Sequence, residues 1–150
     1  MLRRWGFIFI VPAVFISDRL LKSWVISRFR EGEGIPVLRG VLHLTRVNNT
    51  GAAFGILRQS SFFLVLISLA CIFFLCWCLW KRNAPSVRNM AWCLVLGGAL
   101  GNLYDRLAYG YVVDFLDLRV WPVFNLADAA ISLGVALAFL SFWGHEEGRS

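Results

Sequence analysis

Five aspartates and the asparagines near them stand at spacings that could carry acid–base chemistry. Asn102 precedes Asp105 by three positions and Asn125 precedes Asp128 by three, so on helices each amide shares a face with its carboxylate. In that arrangement each amide can donate to the carboxylate and fix its orientation. Asp18 and Lys22, four apart, suit a helical ion pair. Asp114 and Asp117, three apart on a strand, point to opposite faces, so only one of them can face inward. Asp114, flanked by Val112, Val113 and Phe115, has the more apolar setting. Two carboxylates held close in a partly desolvated site cannot both ionise readily, and one pKa rises. Such a pair can deprotonate a water while protonating a scissile amide, with no covalent intermediate. The residues alone do not select which two aspartates act.

Competing chemistries have less support. The histidines, His43 and His145, are not placed for a Ser/His pair, and a Ser–Lys dyad of Lys22 with Ser17 or Ser23 has no further group behind it. Cys71, Cys76, Cys78 and Cys93 fall inside hydrophobic segments, where small buried hydrophobes are a better reading than metal ligands or disulfides. No metal and no cofactor is expected. Each polar residue also has a structural explanation: Asn125 with Asp128 fits a helix cap and its third-position acid, and Asp105 beside Arg106 fits a stop-transfer pair. Taken together these explanations weaken, because ionisable groups near hydrocarbon are costly and tend to mark function.

The elements that must position these groups are membrane spans. Hydrophobic residues make up 59% of the 150 and charged residues 16%, too little polar surface for a soluble chain of this size. Seven Trp and thirteen Phe fit lipid-facing helices with interfacial aromatics. Four spans are expected, at about 5–26, 62–80, 90–104 and 125–143, in a single integral membrane domain over 1–150. The first opens like a signal peptide behind Arg3 and Arg4, yet no small-residue cleavage pattern follows, so it reads as a retained anchor. The second, Phe62–Trp80, is uncharged and close to the ~20 residues that cross the hydrocarbon core. Gly97 with Gly101, and Ala130, Gly134 and Ala138, sit at packing intervals in the third and fourth. Between the first two spans, Val41–Val47 reads as a strand and Ala52–Leu57 as a short helix lying on the membrane. Tyr111–Val120 reads as a second strand, and the two strands are candidates for a small surface sheet.

Alternation of the spans gathers all five aspartates on one side of the membrane, with Glu31 and Glu33 nearby and Glu146 and Glu147 opposite. Lys and Arg outside the spans are too evenly divided to orient the chain by count. The first span often dominates, and Arg3-Arg4 then hold both termini in the cytoplasm. The net charge of +6 is scattered, with no basic run or helix face, which argues against nucleic acid.

Asp18-Arg-Leu-Leu-Lys22, Asn49-Thr-Gly-Ala-Ala-Phe54-Gly55, Gly101-Asn-Leu-Tyr-Asp-Arg106, Val112-Val-Asp-Phe115 and Phe124-Asn-Leu-Ala-Asp128 resemble, in order, the motifs of the lipoprotein signal peptidase (signal peptidase II) family. Each motif is weak alone; five in sequence over nearly the whole chain are highly specific. The resemblance implies an all-α membrane protein of four transmembrane helices with a small extracytoplasmic β-sheet and a short interfacial helix. It implies an aspartic endopeptidase of the bacterial inner membrane, its site at the extracytoplasmic face, that cleaves a prolipoprotein before its diacylglyceryl-modified cysteine. By motif position Asp114 and Asp128 are the catalytic pair. Asn49, Gly51, Asn102, Arg106 and Asn125 line the site, and Asp18, Lys22 and Asp105 support it. The partners implied are the lipid-modified prolipoprotein and membrane lipids, and the chain is expected to act as a monomer. The fourteen positions from Asp114 to Asp128 are fewer than in many relatives, which implies a compact surface loop. A small proton-coupled transporter is the other class that suits four spans with acids. A transporter places its key carboxylate near the bilayer midplane, whereas these acids stand at span ends. A purely structural subunit leaves the polar cluster unexplained.

Overall fold

The structure, a computed structural model, describes residues 6–51, 61–81 and 86–143. Its helices are α1 (Ile10–Arg28), α2 (Ser61–Lys81), α3 (Val87–Tyr109) and α4 (Leu126–Trp143). Three strands, β1 (Gly34–Leu38), β2 (Leu42–Asn49) and β3 (Val112–Asp117), form one antiparallel sheet in the order β1-β2-β3. The expected interfacial helix at Ala52–Leu57 lies outside the described residues.

The central element is α3, which packs on each of the other three helices. It starts where the Ser86 hydroxyl accepts the Asn89 N–H at 3.3 Å and stops at Gly110, whose φ of 78° is the left-handed cap that glycine adopts without strain. The third span was expected to close near Tyr104, at the charges. Instead the helix continues to Tyr109, because Asp105 is wholly buried and paired inside the fold and the backbone has no reason to stop there. Close approach depends on missing side chains. A Cβ on Gly97 would lie 2.9 Å from Val14 Cβ, one on Gly98 2.4 Å from the Ala127 carbonyl, and one on Gly134 2.6 Å from the Ala91 carbonyl. The spacing of Gly97 and Gly101 therefore marks the face toward α1. Gly98, which the spacing did not single out, is the tightest contact with α4.

Helix α2 is long and apolar enough to cross a membrane, with Phe62–Lys81 forming the qualifying stretch; Leu126–Ser141 of α4 is apolar but shorter. Its outer face exposes Phe62, Phe63, Phe73, Phe74 and Trp77, while Leu75 and Leu79 pack against Cys93, Val95 and Leu96 of α3. Cys71 and Cys76 lie exposed on α2, and Cys93 alone of the four thiols fits the buried small-hydrophobe reading.

The sheet seats on the helices through Val25, Val113 and Phe115, with Ile26, Leu44 and Leu126 around them. Strand β1 was not foreseen, since its Pro36 reads as punctuation. It is the sheet edge, exposed throughout, where a residue without an N–H is tolerated. Pairing of β2 with β3 sets Asn49 opposite Val112 and Val47 opposite Asp114. Beyond β3 the chain returns on itself. The Phe124 carbonyl accepts N–H groups from Phe115 and Leu116, at 3.0 and 2.7 Å, and Phe124 N–H reaches the Leu116 carbonyl at 3.0 Å. That return delivers Asn125 to the side of Asp114.

Because Gly98 admits no Cβ, Gly98→Val is expected to part α3 from α4 at a cost of about 1–3 kcal/mol. Thermal unfolding in detergent should show the loss, with Leu140→Ala on the exposed face of α4 as a control near zero. An unchanged Tm for Gly98→Val would refute the packing account.

Candidate active site

Helix α1 places Asp18 and Lys22 on one inward face, and both are fully buried. The Lys22 ammonium lies 2.8 Å from Asp18 Oδ2 and 2.9 Å from Asp105 Oδ2, and donates at 3.0 Å to Asn102 Oδ1. Each carboxylate then reaches a further element. Asp18 Oδ1 accepts the Ala127 N–H at 3.0 Å, one of the open donors in the first turn of α4. Asp105 Oδ2 accepts the Val113 N–H of β3 at 3.1 Å, and its Oδ1 pairs with the Arg19 guanidinium. Gly101 makes room for this, since a Cβ there would lie 2.8 Å from Asp18 Oδ2. Arg19, which sequence spacing did not mark as a site residue, also lies over the Tyr104 ring at 4.6 Å. Only the tertiary fold brings it to Asp105, 86 positions away.

Asp114 is 1% exposed on β3. Its Oδ2 accepts from Asn49 Nδ2 at 2.9 Å and its Oδ1 from Asn125 Nδ2 at 2.7 Å. Asn49 is itself set by the Gly51 N–H, which donates to its Oδ1 at 3.0 Å. Asp128 Oδ1 accepts from Asn102 Nδ2 at 2.7 Å. The expected cap of α4 is present in reciprocal form: Asn125 Oδ1 accepts the Asp128 N–H at 2.8 Å and Asp128 Oδ2 accepts the Asn125 N–H at 3.3 Å. Asn125, fully buried, therefore bonds to both carboxylates. All four carboxyl oxygens of Asp114 and Asp128 accept an N–H.

Two expectations from spacing are corrected. Asn102 does not orient its helical neighbour Asp105, because Lys22 stands between them and takes an acceptor from each; the Asn102 amide serves Asp128 on another helix. Nor do Asp105 and Arg106 pair. Asp105 turns inward to Lys22 and Arg19, while Arg106 lines the cleft, with Nη1 3.5 Å from the Asn102 carbonyl. Asp117 also departs from expectation, for it is buried although it points away from Asp114. It accepts from Thr45 Oγ1 at 3.2 Å and from the Arg119 N–H at 2.9 Å, anchoring the loop after β3, where Arg119 takes a φ of 66°.

Asn49, Gly51, Asn102, Arg106, Asp114 and Asp128 meet in a cleft of about 560 Å³ whose other walls are mainly apolar, including Val112, Trp121, Phe124 and Ile131. Burial, and after it the charge of Asp128, pushes the Asp114 carboxyl up to about 7, against the opposing hydrogen bonds from Asn49 and Asn125. A carboxyl raised toward neutrality thus shares a mainly apolar cleft with a second aspartate, an arrangement that acid–base chemistry can use.

Comparison with known proteins places the chain in a family. The pattern describing signal peptidase (SPase) II matches residues 10–144. The lipoprotein signal peptidase of Halothermothrix orenii is 42% identical over 92% of this chain and 95% of its own length. That of Moorella thermoacetica is 45% identical over 87% and 88%. Two solved bacterial membrane enzymes share the fold. One, at 29% identity, has a TM-score of 0.91 and matches 97% of this chain and 92% of its own; the other, at 31% identity, has a TM-score of 0.84 and matches 91% and 92%. In sequence pattern, in relatives and in fold, the chain belongs to the signal peptidase II family.

Proposed function

We propose that this chain is an aspartic endopeptidase of the bacterial inner membrane that removes the signal peptide from prolipoproteins, cutting before the diacylglyceryl-modified cysteine. The observation that carries the reading is the pair Asp114 and Asp128, bonded to one Asn125 in a mainly apolar cleft. Family membership supports peptide hydrolysis and prolipoprotein as substrate. In this reading α1 to α4 are four spans of a single domain. The outward phenyl face of α2 meets lipid, both termini are cytoplasmic, and the sheet and cleft lie at the extracytoplasmic surface. The protein works as a monomer, with no cofactor. The apolar walls of the cleft suit a substrate that arrives by its lipid.

In the proposed reaction the Asp128 carboxylate takes a proton from water as the water oxygen attacks the scissile carbonyl. Asp114, still protonated near neutrality, donates to the carbonyl oxygen as it becomes negative. Collapse of the tetrahedral intermediate breaks the C–N bond, and a proton from the pair goes to the departing amine. The products are a new carboxyl on the signal peptide and a free amine on the lipidated cysteine. Arg106 and Asn49 supply N–H groups that hold the substrate backbone.

Asp114→Asn and Asp128→Asn are each expected to lower cleavage of a diacylglyceryl-modified prolipoprotein in liposomes by at least about 10²–10⁴-fold. Both variants should still fold, and Asp117→Asn should keep most activity. Full activity in either dyad variant would rule out the assignment, and equal cleavage of substrate lacking the diacylglyceryl group would rule out the substrate claim. The pH dependence follows from the raised Asp114 carboxyl. Activity that needs its proton should be present below about pH 7 and fall roughly tenfold per unit above it. A rate that stays flat to pH 9 would exclude Asp114 as the acid. The sign for stability is also set. The folded chain holds this proton between pH 3.8 and about 7 and the unfolded chain does not, so the contribution of Asp114 to stability declines as pH rises through that window. A wild-type Tm in detergent that falls more steeply over the window than that of Asp114→Asn would bear this out, and parallel curves would not.

A further inference from the structure

We infer that Lys22 is a positioning residue of the reaction, which fixes the polarity of the Asn102 amide and through it the donors facing the aspartate pair; the inference rests on the peptidase reading above. An ammonium has three N–H groups and no acceptor. Here it meets three oxygens, Asp18 Oδ2, Asp105 Oδ2 and Asn102 Oδ1. With Lys22 against it, only the oxygen end of Asn102 can face inward, and the amino end is left to Asp128 Oδ1, 2.7 Å away. Asn125 is held the same way round at a second point. Its oxygen is taken by the Asp128 N–H, so its amino group must serve Asn102 Oδ1 at 3.2 Å and Asp114 Oδ1 at 2.7 Å. Hydrogen bonds thus run from the buried cation through Asn102 to Asp128, and from Asn125 both back to the same Asn102 oxygen and on to Asp114. Turning Asn102 over would place an NH₂ against the ammonium and an oxygen against Asp128, losing a bond at both ends.

The cation itself touches neither carboxylate of the pair. The charged groups around this relay are Asp18 and Arg19 from α1, Asp105 and Arg106 from α3, Asp128 from α4 and Asp114 from β3. Among them the Lys22 charge favours the ionised form of Asp114. Lys22 therefore acts on the pair twice, by directing the amide and by its field.

The test is Lys22→Met in liposomes with the lipid-modified prolipoprotein, followed over pH. With the amide free to turn, kcat should fall roughly 10–100-fold, the loss of one hydrogen bond to a charged group, while KM stays within a few-fold. The alkaline limb should move up by on the order of one pH unit as the field of the cation is lost. A wild-type kcat and limb would overturn the inference, as would a lower rate with an unmoved limb, which is the mark of a merely structural lysine. Should Lys22→Met fail to fold, Asn102→Asp keeps Lys22 partnered but gives Asp128 an oxygen where it had an N–H. The same fall in kcat and rise of the limb are expected, and wild-type values would overturn the inference. Titration of the ¹³C-labelled aspartate carboxyls in micelles reads the shift without substrate. It therefore separates failure of the relay from failure of the peptidase reading, which instead shows as no cleavage by the wild-type chain.

Discussion

An ammonium group out of water must be surrounded by acceptors, and the way Lys22 meets that demand organises the protein. Stripping a charge of its hydration costs several kcal/mol even in a relaxed interior, so a lone buried lysine would lose its proton or pull the fold open. Lys22 instead recruits two carboxylates and an amide, from its own helix and from α3. Each carboxylate also takes a backbone N–H of a different element, Ala127 in α4 and Val113 in β3, and Asp105 pairs with Arg19 as well. One cation thereby ties three helices and the sheet at one end of the bundle. The aspartate pair sits on the rim of this knot, held by asparagines whose outer ends belong to it.

The division between the two kinds of aspartate follows from their neighbours. Asp18 and Asp105 are buried against the cations Lys22 and Arg19 and tie helices and sheet together. Asp114 is buried among amides, with a carboxylate for a neighbour, and it keeps its proton to about pH 7. The same side chain is an ion-pair partner in one place and a carboxyl raised toward neutrality in the other. What differs is whether the compensating charge lies within contact distance or two amides away.

Much of this was legible in the sequence, and the parts that were not share a cause. Helix positions followed from apolar runs, and the cap at Asn125 and Asp128 from a three-residue spacing, because those signals are local. The expected alternation of apolar helices gathers the aspartates at one end, and four of the five are joined there. Spacing misled at Asn102 and Asp105, which share a face yet do not bond, because Lys22, 80 positions from Asn102, outcompetes the local contact. Arg19 and Gly98 gave no signal, since both are defined by what another helix brings to them. Strand β1 was hidden by Pro36, whose meaning depends on being at a sheet edge. The choice of Asp114 over Asp117 followed from its apolar flanks. That Asp117 is buried as well, holding a loop, could not be read from them.

The cap at Asn125 has a consequence for durability. The bonds that start α4 are the bonds that hold Asp128, and the same amide holds Asp114. First turns of helices are where fraying begins, with opening free energies well below that of global unfolding. A brief melting of one turn of α4 thus frees Asp114 and Asp128 from Asn125 at once.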